Sequence, residues 1–368
     1  MPTTYAIPDG RTVFNISLSN TGTTSGPGAG VAKVISGLAF QPDMVWSKNR
    51  SSSSNARWGL IDSVRGVNNT LSQSNTFAEV TSQTDLLTSF NSNGVNIGAD
   101  AAGYGWNWNQ QSGASDNYAY WLWKAGGTAV TNNDGSVASQ VSANTTAGFS
   151  VVTFTAPASG NFSAGHGLGV TPGMVITKVR GRATSWITWH NRLNSGSPGT
   201  TYYVELNTTG GQSTFANVWG STGVTSSVIG MGVGATCAAS DTIVAYCFSA
   251  VAGYSAFGSY TGNGSADGPF IYTGFRPRFV MIKKSSGTDD WCIQDTARDP
   301  YNMCAYKLGP NSSGAENYAA LGNTTENNID ILSNGFKLRS INSLTNASGA
   351  TLIYACFAEN PFKFANAR

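Results

Sequence analysis

The chain has 368 residues, a net charge of +2 and only 11% charged residues, against about 25% in an ordinary soluble protein. With no basic block, that charge leaves no electrostatic footprint for nucleic acid, and no run of about 18 apolar residues is present to cross a membrane as a helix. The 10 Trp, 14 Tyr and 17 Phe exclude disorder, and 44 Gly point to a turn-rich globular protein kept soluble by hydroxyls and amides rather than by ions.

Met1-Pro2-Thr3-Thr4-Tyr5 has neither the basic nor the apolar region of a secretory leader, so none is expected. The first strand is Thr12-Val-Phe-Asn-Ile-Ser-Leu18. Gly37-Leu-Ala-Phe-Gln-Pro42-Asp-Met-Val-Trp-Ser-Lys48 then reads as an apolar strand, a Pro punctuation and a second strand. Trp58-Gly-Leu-Ile-Asp62 follows, with Arg65 three residues beyond the Asp. Thr76 to Leu87 is the longest helix candidate, but its Thr and Ser content and lack of a sustained apolar period argue against it. Asn93-Gly94 reads as a hairpin turn, and Tyr118-Ala-Tyr-Trp-Leu-Trp123 as an aromatic closing strand.

The same order then recurs. Thr131-Asn-Asn-Asp-Gly135 lacks the ligand count of a calcium loop and reads as a turn. Ala147-Gly-Phe-Ser-Val-Val-Thr-Phe-Thr155 opens a second copy, and Gly167-Leu-Gly-Val-Thr-Pro172-Gly-Met-Val-Ile-Thr-Lys178 repeats the Pro element. Trp186-Ile-Thr-Trp-His190 repeats the Trp element, with Leu193 where the first copy has Arg65, and Ile243-Val-Ala-Tyr-Cys-Phe248 closes. The third copy opens at Ala252-Gly-Tyr-Ser-Ala-Phe-Gly-Ser-Tyr-Thr261 and continues through Thr273-Gly-Phe-Arg-Pro277-Arg-Phe-Val-Met-Ile-Lys283. Trp291-Cys-Ile-Gln-Asp295, Arg298, the turn Asn334-Gly335 and Leu352-Ile-Tyr-Ala-Cys-Phe357 complete it. A Lys follows the Pro by six residues in every copy.

Strands of four to eight residues between turn clusters, repeated three times, predict an all-β protein of three tandem β-sandwich units of jelly-roll or lectin-like type, at 1–140, 141–250 and 251–368. A position repeated in all copies is expected to determine the fold. The Trp should fill each sandwich, and the Asp should pair with the Arg three residues on. Cys237, Cys247, Cys292, Cys304 and Cys356 include no Cys-x-x-Cys and are expected as buried reduced thiols.

No catalytic residue is assigned. His166 and His190 are the only histidines, no Gly-x-Ser-x-Gly elbow or phosphate loop is present, and no metal or cofactor is expected. Asp295 and Glu316 are the carboxylates a glycan hydrolase would use, though scattered acids make some such pair inevitable. Tyr104-Gly-Trp106-Asn-Trp108 stands out as either a core extension or a solvent-facing stacking platform for a saccharide. In the second case Tyr104, Trp106 and Trp108 would stack, and Asn107 and Asn109 would supply polar contacts.

From residue 250 onward the sequence becomes recognisable. Gly253-Tyr-Ser-Ala-Phe-Gly-Ser-Tyr-Thr-Gly-Asn-Gly-Ser-Ala-Asp-Gly-Pro-Phe270, Leu332-Ser-Asn-Gly-Phe-Lys-Leu-Arg339 and the terminus Phe357-Ala-Glu-Asn-Pro-Phe-Lys-Phe-Ala-Asn-Ala-Arg368 resemble a repeat-containing domain found in proteins of tailed, often marine, bacteriophages. The resemblance covers residues 30–368 and implies a virion structural protein, assembled in the host cytoplasm and exposed on the tail or capsid. The expected role is a non-enzymatic tail-fibre or tail-tip component that contacts other virion proteins and host surface polysaccharide. The alternative is a capsid decoration or head-fibre protein bound to the major capsid lattice. The repeats begin almost at once, which favours a compact block docked on a particle over a long fibre. A homo-oligomer, preferably a trimer, is expected to bury exposed strand edges, unless three repeats in one chain imitate one.

Overall fold

The computed structural model describes residues 5–22, 28–51, 57–109, 115–316 and 328–361. Among these, α-helix is confined to one four-residue turn, Ser343–Asn346, and every sheet is antiparallel. Thr76 to Leu87 forms no helix.

Three sheets share one strand order. The first runs Phe14–Asn20, Asn117–Trp123, Met44–Asn49, Trp58–Asp62. The second contains Phe149–Thr155, Thr242–Phe248, Met174–Val179, Ile187–His190 in the same order. The third is Ser255–Thr261, Thr351–Pro361, Phe275–Lys284, Trp291–Asp295. In each, the closing strand lies between the opening strand and the strand that carries the Lys. The second sheet is longer, with Val130–Asn132 and Ser139–Asn144 on one edge and Tyr202–Glu205 and Ser213–Thr214 on the other.

The registers agree at the ends of the closing strands. Phe14 and Met44 flank Trp123, and Phe149 and Met174 flank Phe248. In the third copy Ser255 and Phe279 flank Phe357. The likeness of Ala-Gly-Phe149 to Ala-Gly-Tyr254 therefore misleads by one residue: Phe149 corresponds to Ser255, and Tyr254 sits just outside the strand.

The closing strands are buried on both faces, which is why they read as unbroken apolar runs. In the first closing strand Tyr118, Tyr120 and Leu122 join Ile35, Val95 and Ile97 in one core, while Trp121 and Trp123 join a second. In the second copy Ile243, Ala245 and Cys247 face one core, and Val244, Tyr246 and Phe248 face the shared one. At the shared core the equivalent residues Trp123, Phe248 and Phe357 touch one another, with ring centroids 6.2, 5.8 and 5.6 Å apart. Three edge-to-face or tilted aromatic contacts thus mark a pseudo-threefold axis.

Outside each main sheet lies a smaller one. These are Lys33–Ile35 with Gly94–Ile97 and Leu87–Asn91, Asn161–Gly165 with Val228–Gly232, and Phe270–Tyr272 with Gly335–Leu338 and Ile329–Leu332. The Asn-Gly hairpins form where expected, with Gly94 and Gly335 as the first residues of the returning strands. A Cβ on Gly94 would fall 1.8 Å from the Ile35 carbonyl oxygen, and one on Gly335 would fall 2.0 Å from that of Ile271, so backbone approach demands Gly at both. All five cysteines are buried and unpaired.

Candidate functional site

The recurring Lys, Trp and Asp/His do not converge inside their own copies. They lie at three seams, where each copy meets the next. Trp58 Nε1 donates to the carbonyls of Gly309 and Ser312 at 3.1 and 2.9 Å. Trp186 Nε1 donates to Ser72 O at 3.0 Å, and Trp291 Nε1 to Glu205 O at 2.9 Å. The first copy therefore reaches the third, the second reaches the first, and the third reaches the second. The lysines follow the same cycle: Lys48 Nζ to Ser313 O, Lys178 Nζ to Thr76 O, Lys283 Nζ to Thr209 O. Burial lowers Lys48 to a pKa of about 7 and Lys178 and Lys283 to about 8. The expectation that each Trp fills its own sandwich is corrected: with both faces of the sheet buried, the Trp side faces the neighbouring copy.

Two seams are ionic. At the first, Arg65 Nε donates to Asp62 Oδ2 at 2.5 Å and Arg65 Nη1 to Glu79 Oε1 at 2.6 Å. Glu79 also takes Arg180 of the second copy at 2.8 Å, and Tyr246 Oη donates to Asp62 Oδ2 at 2.7 Å. At the third seam Arg298 Nε donates to Asp295 Oδ2 at 2.6 Å and Arg298 Nη1 to Glu316 Oε1 at 3.0 Å. Arg50 Nη2 of the first copy completes it on Glu316 at 2.7 Å, and Trp121 Nε1 donates to Asp295 Oδ2 at 3.1 Å. The nearby carboxylates raise Arg65 and Arg298 above the usual guanidinium range despite burial. The i,i+3 pairing read from the sequence is present in both copies that have it. Asp295 and Glu316 are both ligands of Arg298, a structural arrangement.

At the second seam the Asp, Arg and Glu positions carry uncharged side chains, so apart from Lys283 it is neutral. His190 Nδ1 accepts from the Arg192 N–H at 3.1 Å, which leaves Nε2–H to donate to Tyr354 O at 3.1 Å. Burial lowers His190 to a pKa of about 4. Leu193 is buried in place of the Arg. Gln212 takes the place of Glu79 and Glu316: its N–H reaches Ser285 O at 2.7 Å, as theirs reach Arg180 O and Arg50 O at 2.8 and 2.9 Å. Ser285 stands where the other copies have Arg180 and Arg50, and Ala355 where they have Tyr246 and Trp121. The seam roles of Glu79, Gln212 and Glu316 were not read from the sequence, because these residues lie on loops of different lengths.

The aromatic stretch of the first copy is mostly interior. Asp100, fully buried, accepts from the N–H groups of Tyr104 and Trp106 at 2.7 and 2.8 Å and folds the segment inward. Trp106 is 0% exposed, and its Nε1 donates to Thr70 Oγ1 at 3.0 Å. Asn107 is equally buried and donates to Val31 O and Gly98 O, both at 2.8 Å. Neither presents a face to solvent, so the stacking-platform expectation fails for Trp106 and Asn107. Tyr104 and Trp108 are half-buried; Arg57 lies 5.7 Å from the Tyr104 ring, and the Trp108 backbone is held by Tyr118 Oη. The side chain of Asn109 lies outside the described residues.

An open depression of about 830 Å³ lies instead on the second copy. Tyr203 and Glu205 come from the added edge strand, Phe215 from the following turn, Arg182 and Ser185 from the segment before the Trp strand, and Thr236 from the opposite loop. Arg182 Nη2 pairs with Asp241 Oδ2 at 2.8 Å. Among the described residues no group of three or more His, Cys, Asp or Glu stands together to hold a metal.

Residues 18–361 match a family described as Domain of unknown function (DUF7483). No curated protein matches the chain, and no solved structure matches it.

Proposed function

We propose that this chain, which belongs to the DUF7483 family, is a non-enzymatic structural component of a bacteriophage virion, placed in the tail as a fibre-like or tip protein that contacts host surface glycans. One observation carries the non-enzymatic part: the chemistry that recurs in every copy is spent on closing the three copies onto one another. The acids a hydrolase would need at Asp295 and Glu316 are engaged by a buried guanidinium. The phage part rests on the sequence resemblance. Each copy is read as a β-sandwich of one main and one outer sheet, and the closed ring as the one-chain counterpart of a trimer.

The pseudo-threefold axis also favours a second reading, a decoration protein seated on a threefold position of the capsid. Quantitative mass spectrometry of purified particles, against the major capsid protein, separates the two. A few copies per hundred capsid subunits support the tail, and a ratio near one or a simple fraction of it supports the capsid. Absence from the particle overturns both.

A further inference from the structure

We propose that the depression on the second copy is a saccharide site that accepts neutral or amino-bearing sugars and rejects acidic ones. This names the ligand of the glycan-contact reading and rests on it.

The site is an addition to the repeat. In the first and third copies the edge beyond the Trp strand is a single bridge, Leu60 to Leu71 and Ile293 to Leu308. The second copy extends the same edge into Tyr202–Glu205 and Ser213–Thr214; the seam uses Glu205 O, Thr209 O and the Gln212 N–H of this segment, but not the Tyr202–Thr214 and Tyr203–Ser213 pairing that the other copies lack. That extension builds one wall of the depression. Its volume falls within the range of small-ligand pockets, about 300–1,000 Å³.

The wall is rigid and presents rings. Phe215 is 51% exposed, yet its N–H is fixed to Thr201 O at 3.0 Å. Trp219 Nε1 holds Tyr202 O at 2.8 Å, directly beside Tyr203. A half-exposed ring on a fixed backbone costs little ordering entropy when a sugar's C–H face lies against it.

Charge sets the selectivity. Arg182 is neutralised by Asp241, which also accepts the Ala238 N–H at 2.6 Å. Glu205 has its backbone held by Trp291 and has no ion-pair partner among the described residues. Tyr203 is raised by burial and by the Glu205 charge, as expected of groups sharing one wall. Of the two charged side chains that line the depression, Arg182 is thus already engaged by Asp241, and the Glu205 carboxylate is the one without an ion-pair partner among the described residues. It can accept two hydrogen bonds from neighbouring sugar hydroxyls or one from an ammonium, and it repels a uronate or sialate. With one carboxylate lining the depression, the arrangement binds a glycan without the second acid that hydrolysis uses.

The test uses the full chain in calorimetric titrations with three oligosaccharides of equal length: a neutral hexose oligomer, a glucosamine oligomer and a uronic acid oligomer. The first two should bind and the third should not. Phe215→Ala should keep the wild-type Tm and weaken binding about tenfold, and Glu205→Gln should admit the uronate. Equal or tighter uronate binding by the wild type, no binding of any oligomer, or binding indifferent to Phe215→Ala overturns the proposal. Particles carrying Phe215→Ala separate this failure from failure of the virion reading. If the protein is incorporated at normal copy number and adsorption is unchanged, the groove is wrong and the virion placement stands.

Discussion

The seam between the first and second copies is ionic, and the seam between the second and third is neutral, yet both make the same backbone contacts. In each, a Trp Nε1 and a Lys Nζ reach backbone carbonyls of the neighbour, and a loop N–H reaches the carbonyl two residues after that Lys. The charged side chains are therefore exchangeable, but only as a set. Asp, Arg, Glu and Arg at 62, 65, 79 and 180 become His, Leu, Gln and Ser at 190, 193, 212 and 285. Changing one alone would leave a buried charge unpaired, which costs several kcal/mol, whereas a fully neutral replacement is nearly neutral. The two sets also specify order. Asp62 presented to the third copy would meet the Tyr354 carbonyl, acceptor against acceptor.

The largest effect should come from breaking the ionic set at its centre. Arg65→Leu leaves Asp62 and Glu79 buried without it and should lose about 3–5 kcal/mol in chemical denaturation. A loss under about 1 kcal/mol would mean that the charges do not hold the seam. His190→Asp should be almost as costly at pH 7, about 3–4 kcal/mol, because a buried carboxylate would face Tyr354 O without the paired guanidinium that Asp62 and Asp295 have. That acid is raised in the folded state, so the loss should shrink as pH falls and the carboxyl becomes protonated.

The native His190 gives the neutral seam a pH signature of its own. Its pKa is about 4 folded and about 6.5 unfolded, so above pH 6.5 it is neutral in both states and adds no penalty. Below that, the unfolded chain binds the proton first and stability falls by ~1.4 kcal/mol per pH unit, up to about 3 kcal/mol near pH 4. Tm measured across that window should drop less steeply in His190→Gln, which keeps a donor and does not titrate; identical slopes would refute the assignment.

Converting the first seam to the neutral set, with Asp62→His, Arg65→Leu, Glu79→Gln and Arg180→Ser together, should cost only ~1–2 kcal/mol, less than Arg65→Leu alone. A quadruple variant weaker than the single one would show that the sets are not interchangeable. The smallest change is expected at the exposed Arg11–Asp9 pair, where Arg11→Ala should alter stability by less than ~1 kcal/mol.

Much of the seam was legible as recurrence and little as geometry. The Asp62–Arg65 and Asp295–Arg298 pairs could be read directly because three residues separate the partners. Glu79, Gln212 and Glu316 could not, since they arrive from loops of unequal length and their function is defined by a neighbouring copy. Trp106 looked like a binding residue because Gly and Asn surround it. The turn of Asp100 that carries it inward draws three backbone N–H groups to one carboxylate, which composition does not reveal.

What the sequence by itself determined was local: strand positions, hairpin turns, the tandem order of copies and the short-range ion pairs. These depend on alternation, turn chemistry and separations of a few residues. Tertiary structure alone decided which face of each strand meets the axis and which meets the outer sheet. A strand buried on both sides reads as apolar throughout, and its two-residue period carries no mark that distinguishes one interior from another.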